Sequence, residues 1–126
     1  MNGIRQLSRG IMLAAVFSLG VSATAQAAGA LAVGHCRAYG FAYDFGDISA
    51  ARRGALSNCN GRDCKVVTTL RRNCAALAND ASKACGVNGW AVRPRLGAAQ
   101  NAALKLCYQR GGKDCVIRAF VCDGKG

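Results

Sequence analysis

The chain has 126 residues, among them 16 Gly, 8 Cys, one Pro and one Trp, and its 17 Lys and Arg against 6 Asp and Glu give a formal charge of +11. That length sets one small domain, and because alanine inflates the 52% apolar fraction while burying little area, the core it can form is thin. Composition excludes a large self-sufficient core, so a covalent framework has to supply what packing does not.

The first ten residues carry Arg5 and Arg9 and no acid, an apolar run follows from Ile11 to Val21, and Ala25-Gln26-Ala27 has the small-residue pattern that a signal peptidase reads. This predicts a secretory signal over 1–27 and an exported domain over 28–126, periplasmic or extracellular. The apolar run is shorter than the roughly 20 residues a membrane span needs, so no transmembrane segment and a soluble mature chain are expected. A lipoprotein reading fails, because the first cysteine, Cys36, follows Val33-Gly34-His35. The 17 basic residues less the two arginines of the leader leave 15 against 6 acidic ones, a mature charge of +9.

The mature chain repeats itself. Cys36-x-x-x-Gly40-Phe41-Ala42 matches Cys85-x-x-x-Gly89-Trp90-Ala91, and Ala50-Ala51-x-x-x-Ala55-Leu56-x-x-Cys59 matches Ala98-Ala99-x-x-x-Ala103-Leu104-x-x-Cys107. Gly61-Arg62-Asp63-Cys64 matches Gly112-Lys113-Asp114-Cys115, and Ala30-Leu31-Ala32 matches Ala76-Leu77-Ala78. The offsets of 46 to 51 residues change only between elements, where loops absorb insertions. Two units follow, at about 30–73 and 74–122.

In chain order, each unit opens with a short Ala-Leu-Ala strand and continues with an extended segment around Gly40-Phe41-Ala42-Tyr43 or Gly89-Trp90-Ala91-Val92. A helix comes next, with Ala51, Ala55, Leu56 and Cys59, or Ala99, Ala103, Leu104 and Cys107, on one apolar face. Ser49 is the expected N-cap of the first helix, Gly97 takes the equivalent place in the second, and Gly61 and Gly111 or Gly112 are placed to end them. A β-branched run closes each unit, Lys65 to Leu70 and Val116 to Val121. The expected fold is α+β: two tandem strand-strand-helix-strand repeats forming one antiparallel or mixed sheet packed by two helices and stapled by disulfides.

The Tyr-Gly-aromatic-Ala strand, the Ala-rich helix ending in Leu-x-x-Cys, the Gly-x-Asp-Cys strand start and Asn73-Cys74-Ala75-Ala76-Leu77-Ala78 resemble a bacterial secreted family, domain of unknown function 4189, over roughly Leu31 to Cys122. The resemblance rests on six cysteines and the Cys-Ala-Ala-Leu-Ala strand. It implies export and a cysteine-rich repeat fold, and it brings no agreed activity to transfer. Cys36 and Cys85 stand outside those six.

Eight thiols in an exported chain of this size point to four disulfides. The competing reading, zinc, wants close C-x-x-C pairs, whereas the nearest pair, Cys59 and Cys64, is separated by four residues and the single histidine, His35, lacks a partner at ligand spacing. No metal is expected. The duplication predicts Cys59–Cys64 and Cys107–Cys115 within the units, with Cys36–Cys85 and Cys74–Cys122 joining the two halves.

Groups for catalysis are scarce: there is no Glu, one His and six Asp, so the chain is expected to be no enzyme and to need no cofactor. Asp63 and Asp114 hold equivalent places and read as turn or cap residues before a strand. His35 and Cys36, taken as neighbours on a strand, point to opposite faces. Thiol redox chemistry would use a C-x-x-C motif, which the sequence lacks. Phe41 and Trp90 share one repeat position and read as core packing, while Tyr39, Tyr43 and Tyr108 are freer to be exposed.

The basic residues form small clusters, and Arg52, Arg53, Arg71, Arg72, Arg93 and Arg95 are the candidates for anion binding. A surface of this charge attracts anions in a salt-dependent way. Export removes the chain from nucleic acid, and the basic groups are not interleaved with stacking aromatics, so nucleic acid is not an expected partner. The reading is an exported, non-catalytic, disulfide-stabilised basic domain that binds an anionic envelope component or a protein partner. The alternatives are a secreted effector or cationic toxin, or an inhibitor of an envelope hydrolase that presents the loop Tyr43–Ile48 or Arg93–Leu96.

Overall fold

The structure, a computed structural model, describes residues 27–124, so apart from Ala27 the expected secretory signal lies outside the described residues. Within that range the two units repeat element by element. The first contains β1 (Ala28–Val33), β2 (Tyr39–Phe45), α1 (Ile48–Asn58) and β3 (Lys65–Leu70). The second contains β4 (Cys74–Asp80), β5 (Asn88–Arg93), α2 (Leu96–Gln109) and β6 (Cys115–Cys122).

The layering follows from alternation along β1 and β4. Successive side chains of a strand point to opposite faces. Ala30 and Ala32 of β1 pack with Ala51 and Ala55 of α1, while Leu31 between them packs in a different cluster with Leu77 of β4. In β4, Ala76 and Ala78 meet Ala99 and Ala103 of α2. Each sheet therefore turns its alanine face to its own helix and its leucine face to the other sheet, giving the order α1, sheet, sheet, α2. The strands form two antiparallel three-stranded sheets, ordered β2-β1-β3 and β5-β4-β6, and this corrects the expected single sheet. The reason is the second apolar face of each central strand: one sheet with helices on one side would leave the Leu31 and Leu77 face in water, and stacking two sheets buries it.

The helices lie very close to their sheets. Gly40 and Gly89, equivalent in the repeat, are the contact points: a Cβ at Gly89 would stand 2.6 Å from Ala103 O and Cys107 N, and one at Gly40 would strike the corresponding backbone of Ala55 and Cys59. Only small side chains fit between layers this close, so Leu56, expected on the inner face of α1, is instead 42% exposed. The helix ends also differ from expectation. Asp47, not Ser49, caps α1, its carboxylate accepting from the Ala50 N–H at 2.7 Å, and the N-cap of α2 is Arg95, with no side-chain cap bond. Gly111 ends α2 in the left-handed region at φ 97°, whereas α1 ends at Cys59 and Gly61 instead packs against Ala38.

Both closing strands carry the same bulge, where the register steps between Leu31 and Ala32 on β1 and between Leu77 and Ala78 on β4. A bulge changes which face later residues meet. Thus Val66 and Ile117 pack toward the helices, whereas Leu70 and Val121 belong to the core between the sheets.

Candidate functional site

The structure brings together each of the four expected cysteine pairs: Cys36–Cys85, Cys59–Cys64, Cys74–Cys122 and Cys107–Cys115. Three of them gather at one end of the sandwich, where β1 runs into β2 and each helix runs into its closing strand. Cys74–Cys122 does not join the two halves as expected; it ties β4 to β6 inside the second unit, where those residues are register partners. Cys36–Cys85 is thus the one crosslink between the units.

His35 and Cys36 lie in the turn between β1 and β2 rather than on a strand, and the ring nitrogen of His35 is within 4.8 Å of the sulfurs of Cys36 and Cys85. Strand alternation therefore does not separate them. With both sulfurs in the bridge, the imidazole is the one donor of this trio left for a ligand.

One carboxylate at this end is strongly perturbed. Asp80, buried at the end of β4, accepts at Oδ1 from the Ser82 hydroxyl at 2.6 Å and the Ser82 N–H at 2.9 Å, and at Oδ2 from the Lys113 N–H at 3.2 Å. The Ser82 hydroxyl above all, then the backbone donors of Ser82 and Lys113, favour its charged form and lower its pKa to about 2. The Ser82 bonds are local, and the Lys113 bond tethers the β4–β5 turn to the loop before β6. The spacing Asp80-x-Ser82 is an Asx-turn signature that sequence reading had the means to find.

The six candidate arginines are all exposed. Strand register places four of them at the opposite end: Leu70 pairs with Gly29 at the start of β1, Arg71 and Arg72 form the turn into Cys74, and Cys74 pairs with both Arg93 and Cys122. Arg95 follows as the N-cap of α2. Arg52 and Arg53 lie further along α1, so they are not part of that turn cluster. Neither helix has an acidic residue in its first turn, although Asp47 caps α1. Asp123 is buried at the same end, where its Oδ2 accepts from the Arg72 N–H at 3.4 Å.

A groove of about 490 Å³ opens between the edge strands β2 and β6. Tyr39, Phe41 and Tyr43 line it from β2, with neighbouring ring centroids 6.4 Å apart, and Arg118 and Phe120 line it from β6. Phe41 and Trp90 also pack against the core between the sheets, as their shared repeat position suggested. Tyr43 and Tyr108 are 55% and 50% exposed, while Tyr39 is half-buried. Phe120, 52% exposed, was missed by sequence reading because the bulge in β6 resets the alternation that assigns its face.

Among the described residues no helix is long and apolar enough to cross a membrane. Two stacked sheets between two helices, duplicated and clamped by four cystines, define a class of disulfide-stabilised α+β repeat domain. The chain belongs to the family described as Domain of unknown function (DUF4189), whose model matches residues 28–122. No curated protein and no solved structure matches it.

Proposed function

We propose that this chain is an exported, non-catalytic binding domain that holds an anionic component of the cell envelope at its arginine end. The observation that carries this reading is the cap of α2. Arg95 occupies an N-cap position, where Ser, Thr, Asp or Asn would stabilise the helix and where the helix dipole disfavours a cation, and Arg93, Arg71 and Arg72 share that end. Local rules are broken where function requires it. Three converging features support an anion as the ligand: the charge of these side chains, the absence of a side-chain cap on the backbone N–H groups at the start of α2, and the net charge of the mature chain.

The non-catalytic part rests on Asp80, the carboxylate with the lowered pKa, whose partners are all turn and loop donors. Export is supported by the four disulfides, which persist in oxidising compartments. The test is salt-titrated binding to vesicles containing anionic phospholipid, with zwitterionic vesicles as the reference. Binding that weakens steeply with salt and is lost on changing Arg71, Arg72, Arg93 and Arg95 to Gln is expected. Absence of binding to the anionic vesicles at low ionic strength would refute the reading.

A further inference from the structure

We propose that the groove between β2 and β6 binds the acyl chain of a single-chain anionic amphiphile of the fatty-acid type, with Arg118 taking the anionic head. The proposal goes beyond the anion-binding reading, because it concerns a different surface from the arginine end. The first argument is asymmetry between the units. Tyr39, Phe41 and Tyr43 have Asn88, Trp90 and Val92 as their repeat partners, and Arg118 and Phe120 have Val67 and Thr69. The second unit makes the same fold without this aromatic wall, so folding alone does not call for it.

The second argument is what the surface leaves in water. Tyr43 and Phe120 are each more than half exposed, and both line the groove. Aromatic side chains carry a large apolar area, and an exposed cluster of them on a small domain marks a binding surface. The third argument is the chemistry of the lining. It is mostly apolar, its single charged residue is Arg118, and it contains no acidic residue. A ligand with an apolar body and one anionic end complements that set, whereas a hydroxyl-rich glycan would find few polar partners. The groove volume lies within the range of about 300–1,000 Å³ typical of small-molecule sites. The aromatic row from Tyr39 to Tyr43 spans roughly 13 Å at the rise of a β-strand, a length suited to an extended acyl chain.

The experiment is an amide chemical-shift titration of the disulfide-intact protein with dodecanoate below its micelle concentration, with 1-dodecanol and acetate as separate arms. Saturable shifts on β2 and β6 are expected with dodecanoate, with acetate giving none there and dodecanol binding about tenfold more weakly. Phe120→Ser should weaken dodecanoate binding about tenfold through lost apolar burial. Arg118→Gln should weaken it about fivefold and reduce its salt dependence. Both side chains are exposed, and a retained amide spectrum verifies that each variant folds. Equal binding of dodecanol and dodecanoate would overturn the role of Arg118. Dodecanoate shifts confined to Arg71, Arg72, Arg93 and Arg95 would overturn the groove while leaving the arginine end intact. An aromatic-rich peptide that pairs along β6 where dodecanoate does not bind would likewise overturn it. If neither dodecanoate nor anionic vesicles bind, the anion-binding reading falls with it.

Discussion

Gly40 and Gly89 set how close each helix comes to its sheet, and the two positions answer the same test. A Cβ at either meets helix backbone, which has little room to give, so Gly40→Ala and Gly89→Ala should each destabilise the fold by about 1–3 kcal/mol. Gly97, in the first turn of α2 with open space around it, should behave oppositely: Gly97→Ala should add about 0.5 kcal/mol. Denaturant unfolding of the three variants checks both signs. Asp80 supplies a pH test. Its folded pKa of about 2 lies below the unfolded value of about 3.9, so the stability it contributes is complete above about pH 4 and is lost as pH falls through about 2. Melting curves across that window should show the gap between the native chain and Asp80→Asn narrowing toward pH 2, whereas a gap independent of pH would mean that the ionised carboxylate stabilises nothing. The repeat placed these glycines at matching positions without saying why glycine was needed, because close approach is a property of two elements together.

At the scale of the elements, order and type were legible in the sequence, since each strand and helix has its own period and the duplication states each one twice. Sheet membership was not. A period-two pattern tells which residues share a face, but it does not tell which strand edge pairs with which, and Leu31 and Leu77 suit either arrangement. The caps were misread for a related reason: Asp47 and Ser49 are both good N-caps, and the path of the chain out of β2 decides between them. Asp47→Ala should cost about 1 kcal/mol by leaving the first turn of α1 uncapped. Arg95→Asp should do the reverse at α2, gaining a similar amount of stability while weakening the binding of anionic vesicles. Thermal unfolding and vesicle binding on that one variant read the two effects separately. The basic clusters were visible as residues, but only the register of β4 with β5 and β6 separates the four arginines that share an end from Arg52 and Arg53 on α1. The groove on β2 and β6 was invisible, because it depends on two edges from different sheets.

For the whole molecule, the two buried clusters under the helices consist mainly of alanine, and the one between the sheets holds Leu31, Leu70 and Leu77, the largest apolar side chains that are fully buried. Such a core yields little transfer free energy for its length. In the chain-entropy model, Cys36–Cys85 and Cys74–Cys122, which span 49 and 48 residues, contribute about 4 kcal/mol each, and the bridges spanning 5 and 8 residues about 2 kcal/mol each. Together these are comparable with the entire stability of a typical domain, about 5–15 kcal/mol. Replacing Cys36 and Cys85 by Ser should therefore cost more than replacing Cys107 and Cys115, and it should also remove the one disulfide that joins the two sheets. The most direct measurement of the central claim is thermal unfolding of the disulfide-intact protein beside the same protein reduced and alkylated at all eight cysteines. The account predicts a single cooperative transition in the first and none in the second, and a reduced chain that keeps its cooperative transition would contradict it.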